Sequence, residues 1–399
     1  MKLKLKKFFA VLLSVAISFG LTGCWNSREL NTLAFATSLG LDKTDDGILM
    51  TVQVFNPRAI ASQKTVHETY VIVYTQEGKD IMEMVRRMIT QSPRKINATH
   101  LQTIIFGEEF AKEGIAPALD FFSREHQFRS DIYFTVAYGS TANEILRTQS
   151  KLDTNPSNNL FSSIESSDEI WAGSKSIKII ELINSIISDG KEAVVTGVEI
   201  TTHNPDRETL GELEKMEEDP IQVKNLAFFK GDKFAGWLDE DECKGYNYLL
   251  GNVRDTVGHV EDPEIGRITT EVTNLEVDKK VELVNGKPVI HASLKFRGNI
   301  ENVTGTVDIA KEENLRKIEN LCEEKLKKQC MKSIAHTKQY GSDIFGFGEI
   351  IHQKYPDYWR NIKKNWSEEY KQLPVDLKID YKIDRTGTLG NTFFKGGNK

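Results

Sequence analysis

The chain has 399 residues, with 52 basic and 58 acidic side chains and a net charge of −6. That balance argues against a general nucleic-acid binder, which needs a basic stripe, and the length calls for two or three domains. Its hydrophobic share of 39% is sufficient for ordinary cores. Met1 to Lys7 carries four lysines and no acid, and Phe8 to Gly20 is thirteen residues without a charge. Basic, then apolar, then small is the layout of a secretory signal peptide. The apolar run is shorter than the roughly 20 residues of a permanent span.

Leu21-Thr22-Gly23-Cys24 follows directly and resembles the bacterial lipobox. There, cleavage leaves the cysteine as the new N-terminus with a thioether-linked diacylglycerol; N-palmitoyl and S-diacylglycerol groups on Cys24 are the expected modification. An ordinary secreted protein and an uncleaved anchor are the alternatives. Buried methylenes contribute about 0.8 kcal/mol each, and two or more chains anchor stably where one does not. Removal of residues 1–23 takes four lysines from the net −6 and leaves about −10. The first strand-like run begins near Leu33, so the lipidated tether 24–32 spans at most roughly 30 Å.

Leu33–Leu41 and Ile48–Phe55 flank the turn signal TDDG and predict a hairpin. Strands are expected at 66–75, 99–107, 131–138 and 192–202. Helices are expected at 80–90, 108–113, 117–124, 141–148 (Thr141 and Glu144 forming a capping box) and 174–188. The stretch 153–167, rich in Asn, Ser and Pro, reads as a loop with at most a short helical turn. Residues 204–220 are charged and nearly devoid of large apolar side chains, which marks a domain boundary. Beyond it, 223–230 and 233–238 form a hairpin, 240–250 a helix, and 268–284 and 287–300 long strands around Asn285-Gly286, a type I′ signal. Helices follow at 310–336, 342–354 and from Pro356, then an alternating strand at 375–384.

The expected organisation is a cleaved signal at 1–23, a tether at 24–32 and an N-terminal α/β region at 33–203 that can divide into two subdomains. A charged linker at 204–220 and a C-terminal α+β domain at 221–399 complete it. The fold class is α+β and multidomain, with mixed sheets, packed helices and a C-terminal domain of antiparallel strands plus long helices.

Signatures of enzymes are missing: there is no G-x-S-x-G, P-loop, H-E-x-x-H or complete G-x-G-x-x-G. No catalytic residue, metal ligand or cofactor is expected. Gly346-Phe347-Gly348 lacks the third glycine and reads as a structural link between helices. Asp42, Thr44, Asp46 and Gly47 begin like an EF-hand loop, but Gln53 stands where the bidentate Glu is needed. The eight histidines show no metal-ligand spacing. The acidic groups at 217–219 and 239–242 read as solvated faces or caps. Cys322 and Cys330 lie about 12 Å apart along one predicted helix, too far for a disulfide, and read as small buried hydrophobes. Cys243 has no motif around it. Trp359 and Trp366 read as core packing, with a partner-docking or membrane-facing stripe as the alternative.

Several segments together resemble one family. CWNSREL at 24–30, AFATSLGLDK at 34–43, TVQVFNP at 51–57, THLQTIIFGEEFAKEGI at 99–115, FGFGEIIHQKYP from Phe345 and IDRTG at 383–387 are similar in content and order to the Ger(x)C spore germination lipoproteins. The resemblance implies the C subunit of a nutrient germinant receptor. Such a subunit is lipid-anchored and non-enzymatic, works with two integral membrane subunits, and lies on the outer face of the spore inner membrane. Cys24 fits the family's lipidated cysteine, and Trp25 and Glu29 fit the pattern around it. The alternative reading is an extracytoplasmic lipoprotein that itself binds a small-molecule ligand.

Overall fold

A computed structural model describes Lys6, Phe8 and residues 32–56, 71–125, 127–148, 156–201, 221–304, 307–309 and 311–385. Cys24, the rest of the signal segment and tether up to Asn31, the expected linker 204–220, His67, His126, His203 and the tail from Thr386 lie outside them.

Strands β1 (Leu33–Lys43) and β2 (Ile48–Phe55) form the expected hairpin, and β3 (Val71–Gly78) pairs outside β2. The chain then adds strands parallel to β1. β4 (Lys95–Asn97) lies against the first part of β1 and β5 (Thr103–Phe106) against the second. β6 (Tyr133–Tyr138) and β7 (Val194–Ile200) continue in parallel, and the hairpin of β8 (Ile221–Lys230) and β9 (Lys233–Leu238) closes the sheet antiparallel. The order is β3-β2-β1-β5-β6-β7-β8-β9. Central strands such as TIIF and YFTVAY are apolar almost throughout because both faces are covered.

One face carries α1 (Ile81–Arg87), α2 (Glu108–Glu113), α3 (Ala116–Arg124) and α6 (Ile179–Ile187), packed through Met84, Phe110, Phe122 and Leu182. The other carries α4 (Ala142–Arg147) and α5 (Pro156–Ile170), through Ile145, Leu146, Leu160 and Ile164. Asp80 caps α1, and the Thr141/Glu144 capping box opens α4 as expected. α5 replaces the loop expected at 153–167. Its polar composition hides two apolar anchors four residues apart, Leu160 and Ile164, and the buried Ser157, whose hydroxyl accepts from Ser38 and bonds Thr37 and Gln53. Tertiary contacts outweigh the weak helix propensity of Ser and Asn. α6 starts later than expected, because 174–178 runs extended along β6 and Ile177 O accepts from Phe134 N at 3.2 Å.

The second sheet has the order β10-β11-β12-β13. β10 (Thr256–Asp262) pairs with β11 (Gly266–Val284), which returns through Asn285-Gly286 as β12 (Lys287–Thr304). Asn285 and Gly286 take φ of 52° and 77°, as a type I′ turn requires. Against this sheet lie α7 (Glu240–Leu250), the long α8 (Glu312–Tyr340), α9 (Phe347–Lys354), α10 (Pro356–Ile362) and α11 (Trp366–Gln372). The single helix expected from Pro356 is two, separated by a 3-10 turn at Lys363–Asn365. β13 (Val375–Arg385) joins β12 in parallel rather than antiparallel, because the helices from α8 to α11 form a crossover that returns the chain to the same end.

Helix α8 also protects both edges of this sheet. Glu323 accepts from Tyr381 N at 3.0 Å and Glu319 from Ile383 N at 3.1 Å on β13, while Lys325 donates to His259 O at 2.7 Å on β10. Edge backbone groups left open invite pairing with other chains, and charged side chains suppress it.

The composition change at 204–220 does not divide the sheets. β8 and β9 follow it in sequence but extend the first sheet, since β8 finds its hydrogen-bonding partner in β7. Leu226 and Phe228 on one face of β8 enter the second core, and Ala227 and Phe229 on the other enter the first.

Candidate functional site

Besides the network around Ser157, two places gather buried polar chemistry. The first is the seam between the sheets. Its centre is Asp343, fully buried between α8 and α9. Its carboxylate accepts from Phe347 N at 3.2 Å, Gly348 N at 2.8 Å and Trp366 Nε1 at 3.2 Å, and its backbone oxygen accepts from Glu192 N at 2.9 Å. Burial nevertheless raises its pKa to about 6. Ser342 Oγ donates to Phe229 O at 2.6 Å, and Lys230 Nζ donates to Gly341 O while pairing with Glu192 at 3.0 Å. Glu349 N donates to Gly190 O at 3.2 Å, and Ser188 Oγ donates to the Glu349 carboxylate at 2.9 Å. A Cβ on Gly190 would lie 2.7 Å from Glu349 N and from the carbonyl carbon of Gly348, so the two backbones approach as only glycine permits. The GFG stretch at 346–348 is thus a structural link, and it also binds the N-terminal half. Trp359 and Trp366 are core residues with ring centroids 5.2 Å apart.

The second place is a cleft of about 710 Å³ among α7, α8, β10, β11 and β13, with Trp171 on its rim. Asp239 and Glu242 cap α7 reciprocally, and the helical period then sets Glu240, Lys244 and Tyr248 on the cleft side. On α8, Cys322, Lys325, Leu326 and Gln329 share the facing stripe. Lys244 has a side chain only 8% exposed. Its Nζ sits 3.7 Å from the Trp171 ring centroid, donates to Val257 O at 3.2 Å and has Glu240 no nearer than 3.8 Å. Burial holds its pKa below the ordinary lysine range. His259 is likewise held low, by burial first and then by Lys325 and Arg267. Among the lining residues, Tyr381 has a buried hydroxyl that lies beside Thr270 and completes no hydrogen bond. Gly298 leaves it room; a Cβ there would collide with that hydroxyl and with Glu271 O.

The residues singled out by sequence are mostly dispersed. Asp42 is buried and caps α4, accepting from Ala142 N at 2.9 Å and Asn143 N at 2.8 Å, so its carboxylate is committed to the fold. Cys243, Cys322 and Cys330 are buried free thiols, and burial pushes Cys322 up to about 11 and Cys330 up to about 12. Of the histidines, His259 borders the cleft, His336 bonds Glu242 at 3.1 Å, and His352 stacks on Trp359. Asp239 caps α7 and pairs with Lys332. Among the described residues no three His, Cys, Asp or Glu side chains gather as a metal site. Lys244, Lys325, Trp171 and Tyr381 carry no sequence motif. The only signals they leave are the helical spacing of 322, 325 and 329 and the alternation that turns Tyr381 inward.

Comparison with known proteins bears on the whole chain. The family profile described as "Spore germination protein N-terminal domain" matches residues 26–200, and that described as "Spore germination B3/ GerAC like, C-terminal" matches residues 224–387. The chain belongs to the Ger(x)C family of spore germination proteins. It is 28% identical to spore germination protein KC of Bacillus subtilis (strain 168), over 96% of this chain and 95% of that protein. It is 26% identical to spore germination protein B3 of the same organism, over 93% and 96% respectively. The crystal structure of the GerBC protein superposes with a TM-score of 0.57 at 21% identity, covering 87% of this chain and 96% of that one, which establishes the shared α+β multidomain fold.

Among the described residues of this Ger(x)C chain, several family-like stretches fall on fold-determining positions. Thr37, Ser38 and Gln53 from the stretches at 34–43 and 51–57 build the buried polar network with Thr103 and Ser157. FGFGE lies in the seam.

Proposed function

We propose that this chain is a lipid-anchored, non-enzymatic subunit of a spore germinant receptor complex that takes part in the response to nutrient germinants. The observation that carries the reading is the match of both halves to Ger(x)C profiles, together with near full-length similarity to two spore germination proteins. The proposed anchor is Cys24, acylated on its amino group and thioether-linked to diacylglycerol. The chain would sit on the outer face of the spore inner membrane with two integral membrane subunits as partners. No helix among the described residues is long and apolar enough to cross a membrane. The hydrogen-bonded seam around Asp343 supports a scaffold role: the two halves would present one continuous surface to partners.

Purification from detergent-solubilised spore membranes through a C-terminal tag tests this. Two multi-pass proteins should co-purify, and the N-terminal peptide should carry the mass of an acylated Cys24. Recovery of the chain alone, with an unmodified cysteine, would contradict the proposal. Cys24→Ala should block incorporation of labelled fatty acid and leave an unprocessed or mislocalised precursor.

A further inference from the structure

We propose that the cleft between α7, α8 and β10 binds a small organic monocarboxylate, with its anionic end held by the Lys244 and Lys325 ammonium groups and a second polar group reaching the Tyr381 hydroxyl.

The charge arrangement comes first. Each ammonium offers three donors. Lys325 uses one on His259 O and makes no ion pair among the described residues. Lys244 uses one on Val257 O, and its nearest carboxylate, on Glu240, stands 3.8 Å away. Neighbouring lysines differ: Lys317 bridges Asp262 and Glu264, and Lys332 pairs with Asp239. A buried cation without a close counter-ion is costly unless paired. Burial first, and then the neighbouring Lys325, holds both Lys244 and His259 below their ordinary basicity.

The Tyr381 hydroxyl supplies a second, independent sign. Tyr381 is 1% exposed and its hydroxyl is orphaned, although buried polar groups are hydrogen-bonded as a rule. The lining also includes the apolar side chains of Val260, Val272 and Leu326. The volume falls within the usual range for small-molecule sites. Two ammonium groups with spare donors, apolar side chains and an unpartnered hydroxyl in one lining suit an organic body with one anionic terminus and one hydrogen-bonding terminus. A single negative charge is favoured over a phosphate dianion or a polyanion, because Asp239, Glu240 and Asp241 border the same cleft and would repel the additional charge.

The inference rests on the cleft alone and holds whether or not the chain is a receptor subunit. Its test uses the full-length, detergent-solubilised protein and isothermal calorimetry. The probes are 4-hydroxybenzoate, 4-hydroxyphenylacetate, 3-hydroxybutyrate and 6-hydroxyhexanoate, each paired with its amide. At least one carboxylate should bind about tenfold or more tightly than its amide, and Lys325→Gln should remove that preference. Tyr381→Phe should weaken binding by a smaller factor, and Lys327→Gln, on the exposed side of α8, should leave it unchanged. Thermal melting of each variant checks folding. Lys325, half-buried and on a helix surface, provides the readout if Lys244→Gln fails to fold. Failure of all four carboxylates to outbind their amides, or equal binding by wild type and Lys325→Gln, overturns the proposal.

Discussion

The seam and the cleft are built from the same kinds of residue and differ in how completely they are satisfied. At the seam, the Asp343 carboxylate accepts three hydrogen bonds, its backbone oxygen accepts another, and Gly190 and Gly348 let two backbones touch. In the cleft, one tyrosine hydroxyl has no partner, two ammonium groups retain spare donors, and space remains between them. Burial alone therefore does not mark a binding site. A polar group whose partners all belong to the chain holds the fold, whereas one whose partners are missing beside open volume is available to something else.

Substitutions in the two regions should differ in cost, and the largest effect belongs to the seam. Asp343→Ala would leave three buried donors unpaired and should lower unfolding stability by about 3 kcal/mol or more, read from urea midpoints. Separate transitions for the two halves would show that the seam couples them. The pH dependence is next. The Asp343 carboxyl has a pKa of about 6 in the folded chain against 3.8 for the ordinary group, so between these values the folded state binds the extra proton. Its contribution is fully present below about pH 4 and is lost as pH rises through about 6. Wild type should therefore gain roughly 2–3 kcal/mol relative to Asp343→Asn as pH falls from 7 to 4. Equal slopes for the two proteins would mean that the folded-state pKa of this carboxyl is not raised.

Smaller effects follow. Gly190→Ala forces a Cβ to within 2.7 Å of the α9 backbone and should cost about 1–3 kcal/mol, measured by the same denaturation. If it is neutral, the close approach is wrong. In the cleft, Lys325→Gln should change stability by less than about 1 kcal/mol, since one hydrogen bond to an edge carbonyl is lost. Arg124→Ala, which breaks an exposed ion pair with Asp120, should sit within about 0.5 kcal/mol of wild type and calibrates the scale.

Much of the fold was readable from local signals, because those signals depend on neighbours in sequence. The Asn285-Gly286 turn and the Thr141 capping box appear where their residues predict them. α5 was hidden because what fixes it, Leu160 and Ile164 on a strand face and Ser157 in a polar network, comes from distant strands. The continuation of the sheet through β8 was hidden for the same reason: composition changes at 204–220, but pairing with β7 is set by partners across the chain. The GFG stretch was visible as a link between helices, yet its contact Gly190 was not. The cleft was the least visible, since residues 171, 244, 325 and 381 meet only after both sheets are assembled. Cys24 was proposed from its sequence context alone and lies outside the described residues.

The most direct test is germination of spores lacking this chain. Spores from an in-frame deletion, followed by loss of optical density across a panel of single nutrients, should fail to respond to at least one nutrient that triggers the parent. The wild-type gene should restore that response and the Cys24→Ala gene should not. Responses indistinguishable from the parent for every nutrient, or full restoration by Cys24→Ala, would contradict a lipid-anchored receptor subunit.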